Sequence, residues 1–134
     1  MWNCPNCGRS FRNTNQDHSC LITDLESHFV NKHQHVIASF ELIRKKMMKL
    51  EGVKIISVKN AILFQAKSNF LAVKPKKSRL DVEFLLSEKV EEFPVHKVVQ
   101  ATKTKFAHFV RLESPDEVDS QLMSWLDEAY LISR

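Results

Sequence analysis

Three cysteines and one histidine near the amino terminus have the residue types and the spacing of a metal site. Cys4 and Cys7 are separated by two residues, and His18 lies two residues before Cys20. Thiolate and imidazole are ligands that Zn²⁺ prefers, and four of them complete a tetrahedral site with no open position, as in structural zinc. The sequence therefore predicts one structural zinc ion on Cys4, Cys7, His18 and Cys20, in a finger formed by residues 1–22.

A metal explains this segment better than disulfides do. The chain has 3 Cys, an odd number, and none follows residue 20. Residues 1–22 are too polar and too short to bury a core, so zinc would supply the ordering energy, on the order of 10–16 kcal/mol. Two alternatives stay open: the cysteines are unrelated surface residues, or His28, His33 or His35 replaces His18 as the fourth ligand.

The cysteine content and the polar start of the chain also indicate a compartment. Reduced cysteines are typical of the cytosol, the first residues do not have the pattern of a signal peptide, and no apolar run approaches the roughly 20 residues of a membrane helix. We expect a cytoplasmic protein that does not enter the membrane. Its oligomeric state is left open by the sequence.

Cationic residues are concentrated in the middle of the chain. The formal net charge is +4, yet residues 53–79 contain seven Lys or Arg and no Asp or Glu, while residues 80–134 are acidic. Such a segment attracts phosphates and releases counterions, which favours binding of nucleic acid or another polyanion. Lys and Arg between residues 44 and 49 would add to this charge. The residues predicted to contact the anion are Lys59, Lys74, Lys76, Lys77, Arg79, His108 and Arg111.

Three other interpretations of the charged residues stay open. The cations of residues 74–79 would also suit a solvated loop that protects a sheet edge. Lys59, Arg79, His108 and Arg111 would alternatively line a pocket for a small anionic ligand or a transport-related substrate, although His108 fits a core histidine better. The acidic stretch at residues 88–92 would suit a protein-interaction adaptor.

Catalysis is the less favoured interpretation. Gln65-Ala66-Lys67 has the form of one half of a magnesium nuclease motif, but no Asp precedes it on a strand. Asp81 and Glu83 follow it on a single strand, and no Lys stands two positions after Glu83. The chain has neither a Gly-rich phosphate loop nor a nucleophile elbow, and zinc would occupy all three cysteines.

Residues 23–134 have the pattern of one α+β domain. A capping box at residues 23–26 predicts a short helix through about Val30, and apolar residues at helical spacing predict a second helix over 34–50. Ser114 and Pro115 predict the start of a last helix. Short apolar runs between them predict a six-stranded antiparallel meander with the helices on one face. The strands are expected at about 53–58, 61–67, 70–74, 80–86, 96–103 and 105–112.

With this order of elements, residues 23–131 resemble an uncharacterised bacterial family, domain of unknown function 5655. The resemblance depends on five stretches of sequence, and the zinc finger resembles an N-terminal extension of some members. It implies an association with nuclease-like or other DNA-associated modules, or with transport. It supplies no catalytic residue. The stretches are residues 25–29, 59–64, 80–86, 106–112 and 119–130.

Overall fold

The computed structural model of this protein describes residues 2–3, 10–12 and 25–134. The predicted zinc ligands Cys4, Cys7, His18 and Cys20 lie outside these residues. Two short antiparallel strands, β1 (Trp2–Asn3) and β2 (Ser10–Phe11), pair with each other. The other elements are the helices α1 (Gln34–Met47) and α2 (Ser120–Ser133) and the strands β3 (Lys54–Val58), β4 (Ala61–Gln65), β5 (Asn69–Pro75), β6 (Leu80–Leu86), β7 (Val95–Gln100) and β8 (Phe106–Leu112).

The six longer strands form one antiparallel sheet, which confirms the predicted α+β class. Its strand order is β3-β4-β5-β6-β8-β7, so the expected simple meander is wrong at the end. β8 lies between β6 and β7, with Ala107, His108, Val110 and Leu112 buried, whereas β7 exposes His96, Lys97 and Gln100 as an edge strand does. Residues 87–94 therefore cross the end of the sheet rather than form a hairpin.

One face of the sheet carries the core. The register places a continuous row of residues across the sheet on this face, and most of the row is apolar. Phe84, at its centre, lies between the His108 ring at 5.4 Å and the Trp125 ring of α2 at 5.8 Å. The row consists of Ile55, Phe64, Leu71, Phe84, His108 and Val98.

Both helices pack on this covered face through one apolar stripe each. In α1, Val36, Phe40, Ile43 and Met47 recur at helical spacing and are fully buried. The Phe40 ring lies 6.3 Å from Phe64 of β4. Burial of these stripes is the main source of the stability of two helices of only 14 residues.

The predicted short helix before α1 is a five-residue 3-10 helix, Leu25–Phe29. It cannot extend into α1 because Asn31 has a φ of 61°, a left-handed conformation that breaks the helical hydrogen-bond pattern. The described residues thus contain two α-helices rather than three. The last helix also starts later than predicted. Ser114 caps only the short 3-10 helix Pro115–Glu117. The cap of α2 is Asp119, whose carboxylate accepts from the Leu122 N–H at 2.9 Å.

Tyr130 supports a stability prediction for this packing. Its hydroxyl donates to the Glu51 carbonyl oxygen at 2.6 Å, joining α2 to the turn before β3. We expect Tyr130→Phe to lower the free energy of unfolding by about 1–2 kcal/mol, because the ring and its contact with Phe70 stay while the carbonyl loses its donor. Chemical denaturation would measure this, and an unchanged midpoint would show that water replaces the hydroxyl at no cost.

In the part of the chain that the structure describes, neither helix has the length and the apolar surface needed to cross a bilayer.

Candidate anion-binding surface

Two turns at one end of the sheet bring together residues far apart in sequence. The β3–β4 turn follows the pair Val58–Ala61, and the β5–β6 turn follows the pair Pro75–Leu80. Because neighbouring strands alternate in direction, both turns lie at the same end of the sheet. The basic segment 53–79 therefore presents two of its turns side by side.

The amino-terminal end of α1 is fixed to this end of the sheet. The Lys77 carbonyl oxygen accepts from the His33 N–H at 2.9 Å, and the Ser78 carbonyl oxygen accepts from His35 Nε2 at 2.7 Å. The β5–β6 turn is closed by the Lys76 N–H, which donates to the Arg79 carbonyl oxygen at 2.8 Å. These bonds place Lys32, just before α1, beside the two turns.

The three segments enclose a polar cavity of about 250 Å³, the cationic cleft. Lys32, Lys59 and Lys76 each come from a different segment, and no Asp or Glu of the described residues lines the cavity. His28 lies in its wall, with Nε2 at 2.9 Å from the Ser57 hydroxyl. Burial and the nearby Lys32 ammonium lower the pKa of His28, which favours the neutral ring. The lining residues are Ser27, His28, Lys32, Lys59, Asn60, Pro75 and Lys76.

A second cavity, of about 270 Å³, lies on the sheet face opposite the helices, and we call it the open-face groove. Side chains that alternate with the core residues of β5, β6 and β8 line it, since successive residues of a strand point to opposite faces. It contains four cations and two carboxylates. These are Lys74, Lys76, Lys97 and Arg111, and Asp81 and Glu83.

An aromatic ring lies in the open-face groove. The Lys97 ammonium stands 5.4 Å from the centroid of the Phe109 ring, and the His96 ring lies 6.5 Å from it. A register shift in β7 turns His96 and Lys97 toward the same groove. Burial, and then the charge of Arg111, lower the pKa of His96.

The structure brings together five of the seven residues predicted to contact an anion. Lys59 and Lys76 line the cleft, Lys74, Lys76 and Arg111 line the groove, and Arg79 pairs with Asp81 at 2.9 Å beside it. Lys77 is exposed in the turn and lines neither cavity. The cations of residues 44–49 lie elsewhere, because Arg44 is about 15 Å along the helix from its start at Gln34.

His108 is apart from this surface. It is fully buried, its Nε2 accepts from the Val90 N–H at 2.9 Å, and its Nδ1 donates to the Phe106 carbonyl oxygen at 3.0 Å. Because a carbonyl only accepts, Nδ1 carries the proton and the ring is neutral. Burial lowers the pKa of His108. His108 therefore anchors the acidic loop to the sheet and contributes no charge to an anion site.

This burial predicts how stability depends on pH. The unfolded chain takes up the His108 proton near pH 6.5, and the folded chain takes it up only at lower pH. The unfolded state thus binds more protons below pH 6.5, and stability falls as pH falls through that range. We expect a slope of up to about 1.4 kcal/mol per pH unit from this group, measured by denaturation between about pH 7 and pH 5.

A pair of variants isolates the effect of His108. His108→Gln keeps a donor and an acceptor but does not titrate, so its unfolding free energy should depend less on pH. Gln100→Asn changes an exposed side chain of the edge strand β7 that does not titrate, and should retain the full dependence. Equal slopes in the wild type and in His108→Gln would contradict this assignment.

Three residues that the sequence did not indicate complete the surface: Lys32, Lys97 and Phe109. Lys97 lies in β7 and Phe109 in β8. The local alternation of buried and exposed residues does not show which face of the sheet these side chains occupy, because that depends on how the strands pair. Lys32 has no pattern around it that marks a site. Within residues 25–134 and the short described segments before them, no three His, Cys, Asp or Glu are grouped so as to hold a metal ion.

The comparison with protein families identifies this α+β domain. Residues 25–133 match the family described as "Domain of unknown function (DUF5655)", which covers the helices, the six-stranded sheet and both cavities. The chain belongs to this family. Searches of the curated proteins and of the solved structures find no match.

Proposed function

We propose that this protein binds nucleic acid through one basic surface formed by the cationic cleft and the open-face groove. The observation that carries the proposal is that Lys76 lines both cavities, so the cleft and the groove lie side by side. Cations from the segment before α1, from two turns and from three strands share it. They are Lys32, Lys59, Lys74, Lys76, Lys97 and Arg111.

The carboxylates of the groove reduce its positive charge but do not cancel it. Asp81 accepts from the Arg79 guanidinium at 2.9 Å, so its charge is already balanced by a residue outside the cavity lining. Glu83 is then the one groove carboxylate without an ion pair among the described residues, against four cations. The balance favours a phosphate backbone, whose neutralisation releases counterions.

Phe109 makes a single strand the better ligand. Its ring is partly exposed on the sheet face that neither α1 nor α2 covers, beside Lys97 and His96. Unpaired bases stack on such rings in a sequence-tolerant way, while neighbouring cations track the backbone. A duplex hides its base faces and would use the cations alone.

The direct test is a binding titration with labelled single- and double-stranded DNA and RNA of one length at low salt. We expect saturable binding, tighter for single strands, that weakens steeply as salt is added. No binding of any of the four ligands at low salt would contradict the proposal.

We also propose that Cys4, Cys7, His18 and Cys20 bind one zinc ion. The support is the ligand chemistry and the spacing in the sequence, because these residues lie outside the described part of the chain. The antiparallel pair β1 and β2 brackets the first two cysteines in the sequence. Zinc would order this segment and do no chemistry.

A further inference from the structure

The cationic cleft has the size and the lining of a site for one phosphate group. Its volume of about 250 Å³ is below the roughly 300–1,000 Å³ of pockets that enclose drug-sized ligands. The groove beside it has a similar volume, about 270 Å³, but carboxylates and an aromatic ring line it as well as cations. The cleft thus differs chemically from the groove.

The lysines of the cleft lack a protein counter-charge among the described residues. The two ion pairs of that part of the chain join Arg44 to Glu41 and Arg79 to Asp81, so neither includes a lysine of the cleft. Like charges around one small cavity repel each other. A bound anion attracts each of these lysines and so offsets the repulsion between them. The cleft is therefore suited to an anion of higher charge than a single carboxylate.

A phosphate monoester satisfies this lining better than the phosphodiester of a nucleic-acid backbone. The monoester carries a charge of about −1.5 to −2 near neutral pH and has three terminal oxygens, whereas each backbone diester carries a single charge. Lysine is a compact point charge with rotatable donors, so Lys32, Lys59 and Lys76 can each approach a different oxygen. Ser27 and Asn60 line the same cavity.

We infer that the cationic cleft binds the terminal phosphate monoester of a nucleic-acid strand, an inference that rests on the proposed nucleic-acid binding. The nucleotides that follow the phosphorylated end enter the open-face groove, because Lys76 borders both cavities. The protein thereby distinguishes a phosphorylated strand end from a hydroxyl end and from an internal position. The same monoester chemistry occurs in a free nucleotide, which the test includes as a separate ligand.

The test compares strands that differ only in how one phosphate is attached. One ligand is a single strand with a 5′-phosphate, and the other is one nucleotide longer with a 5′-hydroxyl, so both have the same number of phosphates. A third has its phosphate at the 3′ end, and a nucleoside 5′-monophosphate serves as free competitor. We expect a phosphorylated end to bind at least about tenfold more tightly than the hydroxyl-ended strand, as for charge-assisted hydrogen bonds.

Lys59→Gln should abolish this preference, and Lys103→Gln, in the exposed turn at the opposite end of the sheet, should retain it. Both side chains are exposed, and circular dichroism checks that the variants are folded. Equal affinity for phosphate- and hydroxyl-ended strands would overturn the inference while leaving the proposed function intact, whereas no strand binding would overturn both. If the monophosphate alone binds in a Lys59-dependent way, the strand end is the wrong source of the monoester.

Discussion

Replacing the three lysines of the cationic cleft with glutamine, as Lys32→Gln, Lys59→Gln and Lys76→Gln together, is expected to weaken nucleic-acid binding by about 10²–10³-fold at about 50 mM salt. Each removed cation leaves one phosphate without its counter-charge, which at that salt lowers the binding affinity roughly tenfold. Glutamine keeps the length and polarity of the side chain. Fluorescence anisotropy with one labelled single strand would measure the loss.

A matched variant separates the position of the charges from their number. Lys67, Lys103 and Lys105 lie in the turns at the other end of the sheet, beyond the pairs Gln65–Asn69 and Gln100–Phe106. Changing all three to glutamine removes the same net charge far from both cavities. We expect this control to lose much less affinity, and equal losses in the two triple variants would mean that binding depends on net charge alone.

Removal of zinc is the other change with a large expected effect. Chelation should release about one zinc per chain and unfold residues 1–22, since zinc binding contributes on the order of 10–16 kcal/mol to ordering such a segment. Residues 25–134 have their own core of α1, α2 and the sheet, so they should stay folded. Metal analysis and the NMR spectra with and without chelator would report both outcomes.

A cysteine variant provides the control for zinc removal. Cys7→Ser should lower the zinc content in the same way, while Tyr130→Phe, which weakens only the main domain, should leave the zinc content unchanged. A purified protein without zinc, or one whose spectrum does not respond to the chelator, would contradict the assignment of Cys4, Cys7, His18 and Cys20.

The strands were largely predictable because each has a simple local pattern. In β6, buried Leu80, Val82, Phe84 and Leu86 alternate with partly exposed residues, as in any strand with one covered face. The position of β7 was not predictable in the same way. The sheet places either β7 or β8 next to β6, depending on which of the two it buries more deeply. This is a tertiary effect that cannot be predicted from the alternation of residues within one strand.

The site was predictable in its charge but not in its geometry. The absence of acids between residues 53 and 79 pointed to Lys59, Lys74 and Lys76, which the fold indeed gathers at one end of the sheet. Lys32 lies beside them because His33 and His35 are hydrogen-bonded to the β5–β6 turn. No pattern in the sequence predicts these two hydrogen bonds. For His108 the sequence already favoured a core position over a role as a ligand, and the structure buries it fully with both ring nitrogens hydrogen-bonded.

The measurement that tests the central proposal most directly is the salt dependence of single-strand binding for the wild type and for the Lys32/Lys59/Lys76 triple variant. Each phosphate contact contributes about 0.7 to the slope of log K against log salt for a single strand, so the two slopes should differ by about 2. Parallel lines would show that these lysines do not neutralise phosphates, and would contradict the proposal that the cationic cleft and the open-face groove form a nucleic-acid interface.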